Sequence, residues 1–366
     1  MLRRVHLREL LLCLLMPCSA ACGSAASSTD GSTDAGSTDA AEDARDASTG
    51  VDAGAGGAPG DAGLADSGAP DSTVQDSGSA DAGLGDSGPH DSGLDDAGGS
   101  GTPAAFQVDM TYTTANIGRD YSTRAQVAVV FDRVADDIGA KSGPRFIGWQ
   151  EIGEGDPCGN DCEIEELEAR FSSGGSWDTR RPRGERPDGG KELVKVPVTS
   201  KGASADIQAR AAFASPGWAN VSPTRFVTVV RYPGRNLSLL NTHLIAGAWS
   251  CKSSVAQRKD YWKRGWDVLK AEVAAESQAG WNVIVTGDLN RGRSSDSCNP
   301  AWDPESLHAR ARIIGGAGID YVFAVPAKAW RFAYARRADN SIKQGTISLG
   351  IDGHSAHWVT GRFTPE

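Results

Sequence analysis

Between residues 23 and 103 the chain cannot build a hydrophobic core. Asp61, Asp66, Asp71, Asp76, Asp81, Asp86, Asp91 and Asp96 recur at a strict spacing of five, mostly as Asp-Ser-Gly or Asp-Ala-Gly. That period matches neither a helix nor a strand, whose side chains repeat about every 3.6 and 2 residues. Sixteen acidic residues stand against Arg45 alone, a net charge of −15, so the segment is expected to stay extended and solvated as a tether. A calcium-loaded repeat is disfavoured because it needs a regular apolar position, which is absent here. All ten tryptophans lie at or after Trp149, so the capacity to fold is concentrated in residues 104–366.

Residues 1–22 read as an export signal. Arg3, Arg4 and Arg8 precede the apolar run 10–16, which is too short to span a bilayer as a permanent helix. Ala20-Ala21-Cys22-Gly23-Ser24 resembles a bacterial lipobox, with Cys22 as the lipidated residue. Ser19 stands where that pattern usually has Leu, which keeps ordinary cleavage and release open. The expected location is exported, either as an outer-membrane or cell-surface lipoprotein or as a released protein.

Setting the tether apart changes what the charge means. Of the chain's −10, the signal accounts for +2 and the tether for −15, which leaves +3 on residues 104–366. A mildly basic domain suits an anionic substrate without requiring one. That domain holds Cys158, Cys162, Cys251 and Cys298. An even number in an exported chain favours disulfides, and the simplest of three connectivities joins Cys158 to Cys162 and Cys251 to Cys298. Zinc is disfavoured because there is no paired Cys-x-x-Cys set and no histidine near Cys158 and Cys162.

Residues 106–112 alternate apolar and polar side chains, predicting a strand that runs on to Asn116. Val127, Val130, Phe131, Val134 and Ile138 follow helical spacing within 120–140. A strand at 145–150 and a short helix near 162–171 come next, then a stretch of short strands and loops to 224. Strands at 225–231 and 236–244 flank the turn dipeptide Pro233-Gly234. A helix over about 253–276 places Trp262, Trp266, Leu269 and Val273 on one stripe. Strands at 281–287 and 319–325 and a terminal hairpin ending near 363 complete an α/β or α+β domain with one large core.

Several of these strands end in polar groups that a core does not need. Gly148-Trp149-Gln150-Glu151 ends in a carboxylate, Asn241-Thr242-His243 in an imidazole, and Gly287-Asp288-Leu289-Asn290 in an acid and an amide. Strand alternation projects Asp288 and Asn290 from one face, about 7 Å apart along the strand. Ile319-Asp320-Tyr321 and Asp352-Gly353-His354 follow. Each motif alone is weak, since a Gly-Asp-x-Asn is often a turn and a strand-end Glu is usually solvated. Taken in series from Asn116 to His354, they resemble the endonuclease/exonuclease/phosphatase superfamily over residues 106–363.

The resemblance implies a four-layer αββα sandwich, in which two mixed sheets are flanked by helices and strand ends line one cleft. It also implies metal-dependent hydrolysis of phosphate esters. Such hydrolysis needs an activated water, a counter-charge for the phosphoryl oxygens and help for the leaving oxygen. On this pattern Glu151 is the principal ligand of Mg²⁺, with Mn²⁺ or Ca²⁺ as substitutes; Asn116 lies beside it, and Asp352 is a further candidate ligand. Asp288 orients or deprotonates the water, and Asn290 holds the water or the phosphate. His354 is the acid/base with its tautomer fixed by Asp320, and His243 donates to a phosphoryl oxygen. The superfamily usually ends in Ser-Asp-His; the inserted Gly353 departs from that and puts the ligand role of Asp352 in doubt. His357 is read instead as a strand residue.

Substrate class is carried by loops. Arg180, Arg181, Arg183, Arg186 and Lys191 form a basic, Pro/Gly-broken segment that could follow a nucleic-acid backbone, although Glu185 and Asp188 partly cancel it. Arg225 is added as a substrate contact, and Trp177 and Trp218 as groups that could stack on bases. The leading expectation is a monomeric nuclease acting on extracellular DNA or RNA. A sphingomyelinase-like head-group phosphodiesterase or a phosphatase is the alternative within enzymes, and a catalytically inactive surface binding module is the alternative outside them.

Overall fold

The computed structural model describes residues 108–366 except 120, 155–161, 173–175, 204–205, 219–221, 250–255, 295–299 and 351–353. The export signal, the lipobox, the tether and the expected contributions of Asp352, Cys158, Cys251 and Cys298 lie outside the described residues.

In chain order the strands are β1 (Met110–Asn116), β2 (Arg145–Gln150), β3 (Trp177–Arg180), β4 (Arg183–Glu185), β5 (Lys191–Leu193), β6 (Val198–Lys201), β7 (Gln208–Ser215), β8 (Arg225–Tyr232), β9 (Leu237–His243), β10 (Asn282–Asp288), β11 (Arg312–Ala317), β12 (Asp320–Val325), β13 (Trp330–Tyr334), β14 (Gln344–Ser348) and β15 (Ser355–Pro365). The helices are α1 (Arg124–Gly139), α2 (Cys162–Phe171) and α3 (Ala256–Gln278). None of the described helices is long and apolar enough to cross a membrane.

One seven-stranded sheet runs β13-β15-β1-β2-β6-β3, with β14 also pairing β15. The second sheet runs β11-β12-β10-β9-β8-β7, and β4-β5 is a separate hairpin. In both sheets parallel and antiparallel pairs mix, as in β1-β2 against β1-β15 and β10-β9 against β10-β12.

Alternation along the strands divides the apolar residues among three layers. Tyr112, Phe146, Tyr232, Leu239, Ile284, Val322 and Val359 form the core between the sheets. There Phe146 meets Tyr232 edge-on across the two sheets at 4.9 Å. On the outer face of the first sheet Ala115, Ile147 and Trp149 receive Val127, Phe131 and Val134 of α1 and Leu167 and Phe171 of α2. On the outer face of the second, Val227, Leu240, Val285 and Phe323 receive Trp262, Trp266, Leu269 and Val273 of α3. The order of layers is therefore helix, sheet, sheet, helix, as the αββα expectation requires.

Local signals place the helix ends. Thr123 caps α1 through a capping box in which its side chain takes the Gln126 N–H and the Gln126 side chain answers the Thr123 backbone. The turn after β8 is a short 3₁₀ helix at Pro233–Arg235 closed by Asn236 in the left-handed region. The terminal hairpin of the sequence reading is a larger structure. β15 pairs β14 at its start, β13 at its end and β1 along its other edge.

Candidate active site

β1 and β2 are parallel and end together, with Asn116 opposite Gln150. β15 runs antiparallel to β1 and starts at the same end, Ala356 opposite Ala115, so His354 stands beside the end of β1. In the second sheet His243, Asp288 and Asp320 occupy one row across three neighbouring strands. Register thus collects, at one end of the sandwich, motifs that lie far apart in sequence.

The two rows meet directly. Asn116 Nδ2 donates to Asp288 Oδ2 at 2.8 Å across the sheets, and Asn116 Oδ1 accepts the Gly118 N–H at 2.9 Å. Just behind them, Gln150 Nε2 donates to Asn241 Oδ1 at 2.7 Å, and Thr286 Oγ1 donates to the same oxygen at 3.0 Å. Gly148 makes this approach possible, because a Cβ there would stand 2.0 Å from Thr286 Oγ1.

His243 is 1% exposed, and its Nε2 faces two acids, Glu151 Oε1 at 3.7 Å and Asp288 Oδ2 at 3.8 Å. Its Nδ1 lies 3.6 Å from Glu154 Oε1. Glu154 in turn pairs with Arg225 and, at 2.5 Å, with Arg119. Burial opposes ionisation of Glu154, but Arg225, His243 and Arg119 outweigh it and hold the carboxyl well below the usual range. Glu151, Glu154 and His243 offer ligand atoms within 4.8 Å of one another. Because two guanidiniums already neutralise Glu154, Glu151 is the member of that trio best placed to hold a cation. Arg119 Nε approaches Glu151 at 3.4 Å.

Asp320 carries the clearest sign of missing positive charge. Its carboxyl is buried, Oδ1 has no hydrogen-bond partner among the described residues, and burial with repulsion from Asp288 and Glu151 raises its pKa well above the normal value. The negative charge that Asp320, Asp288 and Glu151 bring to this end of the sandwich suits a divalent cation with oxygen ligands.

The backbone at the site is constrained. Glu151 and Asn290 both have left-handed φ values, 69° and 49°. Such conformations persist in non-glycine residues where surrounding structure enforces them, and they concentrate at functional sites. The Asn290 geometry corrects one expectation. The strand stops at Asp288 and the chain turns, so the Asn290 backbone N–H donates to Asp288 Oδ1 at 2.7 Å instead of the two side chains standing apart along an extended strand. Asn290 Nδ2 is spent on the Leu244 carbonyl at 2.9 Å, tying the ends of β9 and β10.

His354 is half-buried, and among the described residues it makes no hydrogen bond or ion pair, with Asp320 or with any other group. His357 is a strand residue as expected: its Nδ1 lies 3.1 Å from Thr346 Oγ1, and burial lowers its pKa.

The basic segment is largely answered from within. Arg180 forms a two-pronged pair with Asp178, Arg186 pairs with Asp188, and Lys191 with Glu185. Arg181 Nε holds the Val194 carbonyl, and Arg183 is exposed without an ion-pair partner among the described residues. Arg225, 1% exposed and paired with Glu154, stands behind His243 and away from solvent. Trp177 packs edge-on against Phe171, and Trp218 against Tyr261 with Arg258 over its ring. The sequence reading did not select Glu154 or Arg119. Their signal was the second acid three residues after Glu151 and the Arg three residues after Asn116.

No protein-family model matches the chain, and no curated protein matches it by sequence. Among solved structures, an endonuclease/exonuclease/phosphatase family protein from Bacteroides thetaiotaomicron is 11% identical; the match covers 71% of this chain and 99% of that one, with a TM-score of 0.45. A mannosyl-6-phosphatase from the same organism is 11% identical over 70% of this chain and 99% of its own, with a TM-score of 0.42. Truncated TDP2 from Caenorhabditis elegans is 15% identical over 69% and 97%, with a TM-score of 0.38. The chain's own layers, strand register and gathered polar residues form a helix-sheet-sheet-helix sandwich with the strand-end motifs at one end.

Proposed function

We propose that the protein is a divalent-metal-dependent phosphoesterase that cleaves phosphodiester bonds of nucleic acid. The observation that carries this is the row His243, Asp288 and Asp320 facing Asn116 and Glu151 across the sheets, with Asp320 Oδ1 lacking a hydrogen-bond partner among the described residues. Glu151 and Asn116 would hold the cation, with Mg²⁺ the expected ion. When bound, it supplies the counter-charge for the phosphoryl oxygens.

The chain's own groups supply the rest. Asp288 accepts one hydrogen bond on each oxygen, from Asn290 N–H and from Asn116 Nδ2, which fixes its orientation as the group that aligns the attacking water and takes its proton. His243, backed by Glu154, presents Nε2 to the same space and donates to a phosphoryl oxygen as charge builds there. His354, at the start of β15, protonates the leaving oxygen. Nucleic acid as substrate is supported by the net charge of +3 on residues 104–366 and by the exposed Arg183. The internally paired Arg180, Arg186 and Lys191 favour a second reading, a small phosphate ester as substrate.

The full chain incubated with plasmid DNA, RNA, sphingomyelin, an aryl phosphodiester and an aryl phosphomonoester, with Mg²⁺ and with chelator, separates these. Metal-dependent cleavage of nucleic acid is expected, with loss in Glu151→Gln and Asp288→Asn. Cleavage that survives in both variants would remove the proposed site. Cleavage of the monoester alone would establish the second reading.

A further inference from the structure

One residue past Asn290 the chain buries a guanidinium that no acid balances among the described residues. Arg291 is 8% exposed, and its Cζ lies 3.7 Å from the ring centre of Trp249, 5.1 Å from that of Trp302 and 5.2 Å from that of Trp262. One Nη2–H reaches the Pro300 carbonyl at 3.2 Å, and no carboxylate pairs with Arg291 among the described residues. A buried cation is rare without a charged partner. Here the faces of three indoles replace that partner, an arrangement that suits a flat guanidinium better than an ammonium.

The three rings come from three separate segments: Trp249 from the loop after β9, Trp262 from α3, and Trp302 from the segment before β11. Between them they grip the stretch that carries Asp288 and Asn290. The backbone of that stretch is pinned at every step. Leu244 N–H donates to the Asp288 carbonyl at 2.9 Å, and Leu289 N–H donates to the Ile319 carbonyl at 2.9 Å. Trp262 Nε1 donates to the Leu289 carbonyl at 2.6 Å, and the Tyr321 hydroxyl donates to the Arg291 carbonyl at 2.9 Å. Leu289 belongs to the core under α3, whereas Asp288 faces Asn116 and Asn290 reaches the Leu244 carbonyl. Arg291 therefore anchors the chain immediately after the left-handed turn at Asn290 that lets its N–H reach Asp288 Oδ1, as Leu289 anchors it immediately before.

We infer that Arg291, held in its tryptophan box, is a positioning residue that fixes the Asp288–Asn290 turn for the reaction proposed above, on which its kinetic role rests. An apolar side chain could fill the same space but could not place a cation against the three indole rings, and the turn would lose its anchor. A lysine would keep the charge and lose the plane.

The test uses the full chain with Arg291→Lys, Arg291→Met and Trp249→Ala, the last a half-buried loop residue packed on the edge of the α3 core. Two readouts are taken, steady-state kinetics with Mg²⁺ on the best substrate and hydrogen exchange of amides 288–291. All three variants are expected to lower kcat by about 10- to 100-fold, the scale set by small misplacements of reacting groups, with KM changed less than about twofold. Amides 288–291 should exchange faster while those of 283–285 in the same strand keep wild-type protection. Wild-type kcat in Arg291→Lys or Trp249→Ala overturns the inference. So does a lowered kcat with unchanged protection at 288–291, which would mark a long-range effect of charge. If the wild type hydrolyses no phosphate ester, the functional proposal fails on its own, and the exchange readout still decides whether the box fixes the turn.

Discussion

At the scale of single residues, the charges near the site fall into two groups with opposite demands. Glu154 is buried and held ionised against its desolvation by Arg225, His243 and Arg119. Its folded pKa lies below the ordinary value of 4.5, so its stabilisation is present above that pH and is lost as the pH falls through the folded pKa. Glu154→Gln leaves Arg225 buried beside a neutral amide and is expected to cost about 3–5 kcal/mol in denaturant unfolding at pH 7. Glu163 behaves in the opposite way. Burial, with repulsion from Glu151 and Glu154, pushes its pKa up to about 8, against the opposing hydrogen bond from the Gly153 N–H. The folded chain then binds a proton between about pH 4.5 and 8 that the unfolded chain releases, so stability falls as pH rises through that window. Glu163→Gln should be more stable than the wild type by a few kcal/mol at pH 8.5, with the gap closing toward pH 4.5. Parallel pH profiles for the two proteins would refute this. On the proposed mechanism Asp288 aligns the attacking water, so Asp288→Asn is expected to lower kcat by about 10²-fold or more.

At the scale of elements, the sheets approach closely where the site is built and α3 holds the second sheet from outside. A methyl group at Gly148 would collide with Thr286 Oγ1 and with Asn241 Oδ1, whose amide also ties the Trp149 and Pro197 carbonyls. Gly148→Ala is expected to destabilise by about 1–3 kcal/mol and to lower activity as well, because separating β2 from β9 and β10 moves Glu151 away from His243. A calorimetric Tm equal to the wild type's would count against that. On the other flank, the buried Glu276 carboxylate of α3 takes Arg231 of β8 through both oxygens and Arg210 of β7 through one. Both guanidiniums can still reach solvent, so this clamp is expected to be worth less than the Glu154 pair.

At the scale of the whole molecule, two sheets deliver acids to one end of the sandwich, and among the described residues no cation pairs with Asp320. Mg²⁺ should therefore raise Tm in proportion to its occupancy and chelator should reverse the rise, with no response in Glu151→Gln. An equal rise in that variant would place the ion elsewhere. The proposed division into signal, tether and domain also belongs to this scale. A fragment of residues 104–366 is expected to keep the kcat/KM of the full chain, and a large loss would give residues 23–103 a role beyond that of a tether.

The sequence by itself determined where the folding capacity lies, the helical stripes of α1 and α3, the span of α2, most of the central strands and the polar residues that end them. Those features are periodic or local, and chemistry written within a few residues of its partners can be read along a chain. The tertiary structure decided that β13 and β14 share an edge of β15, that Asn290 folds back onto Asp288, that Arg225 stands behind His243 with Glu154, and that Arg180, Arg186 and Lys191 are answered by neighbouring acids. It also gathered Trp249, Trp262 and Trp302 around Arg291. Each of these depends on strand register, burial or the turn at a strand end, which are set by packing between segments far apart in sequence. Strand-end motifs could name the site's acids and histidines, but the third dimension was needed to show which of them carry a partner and which wait for one.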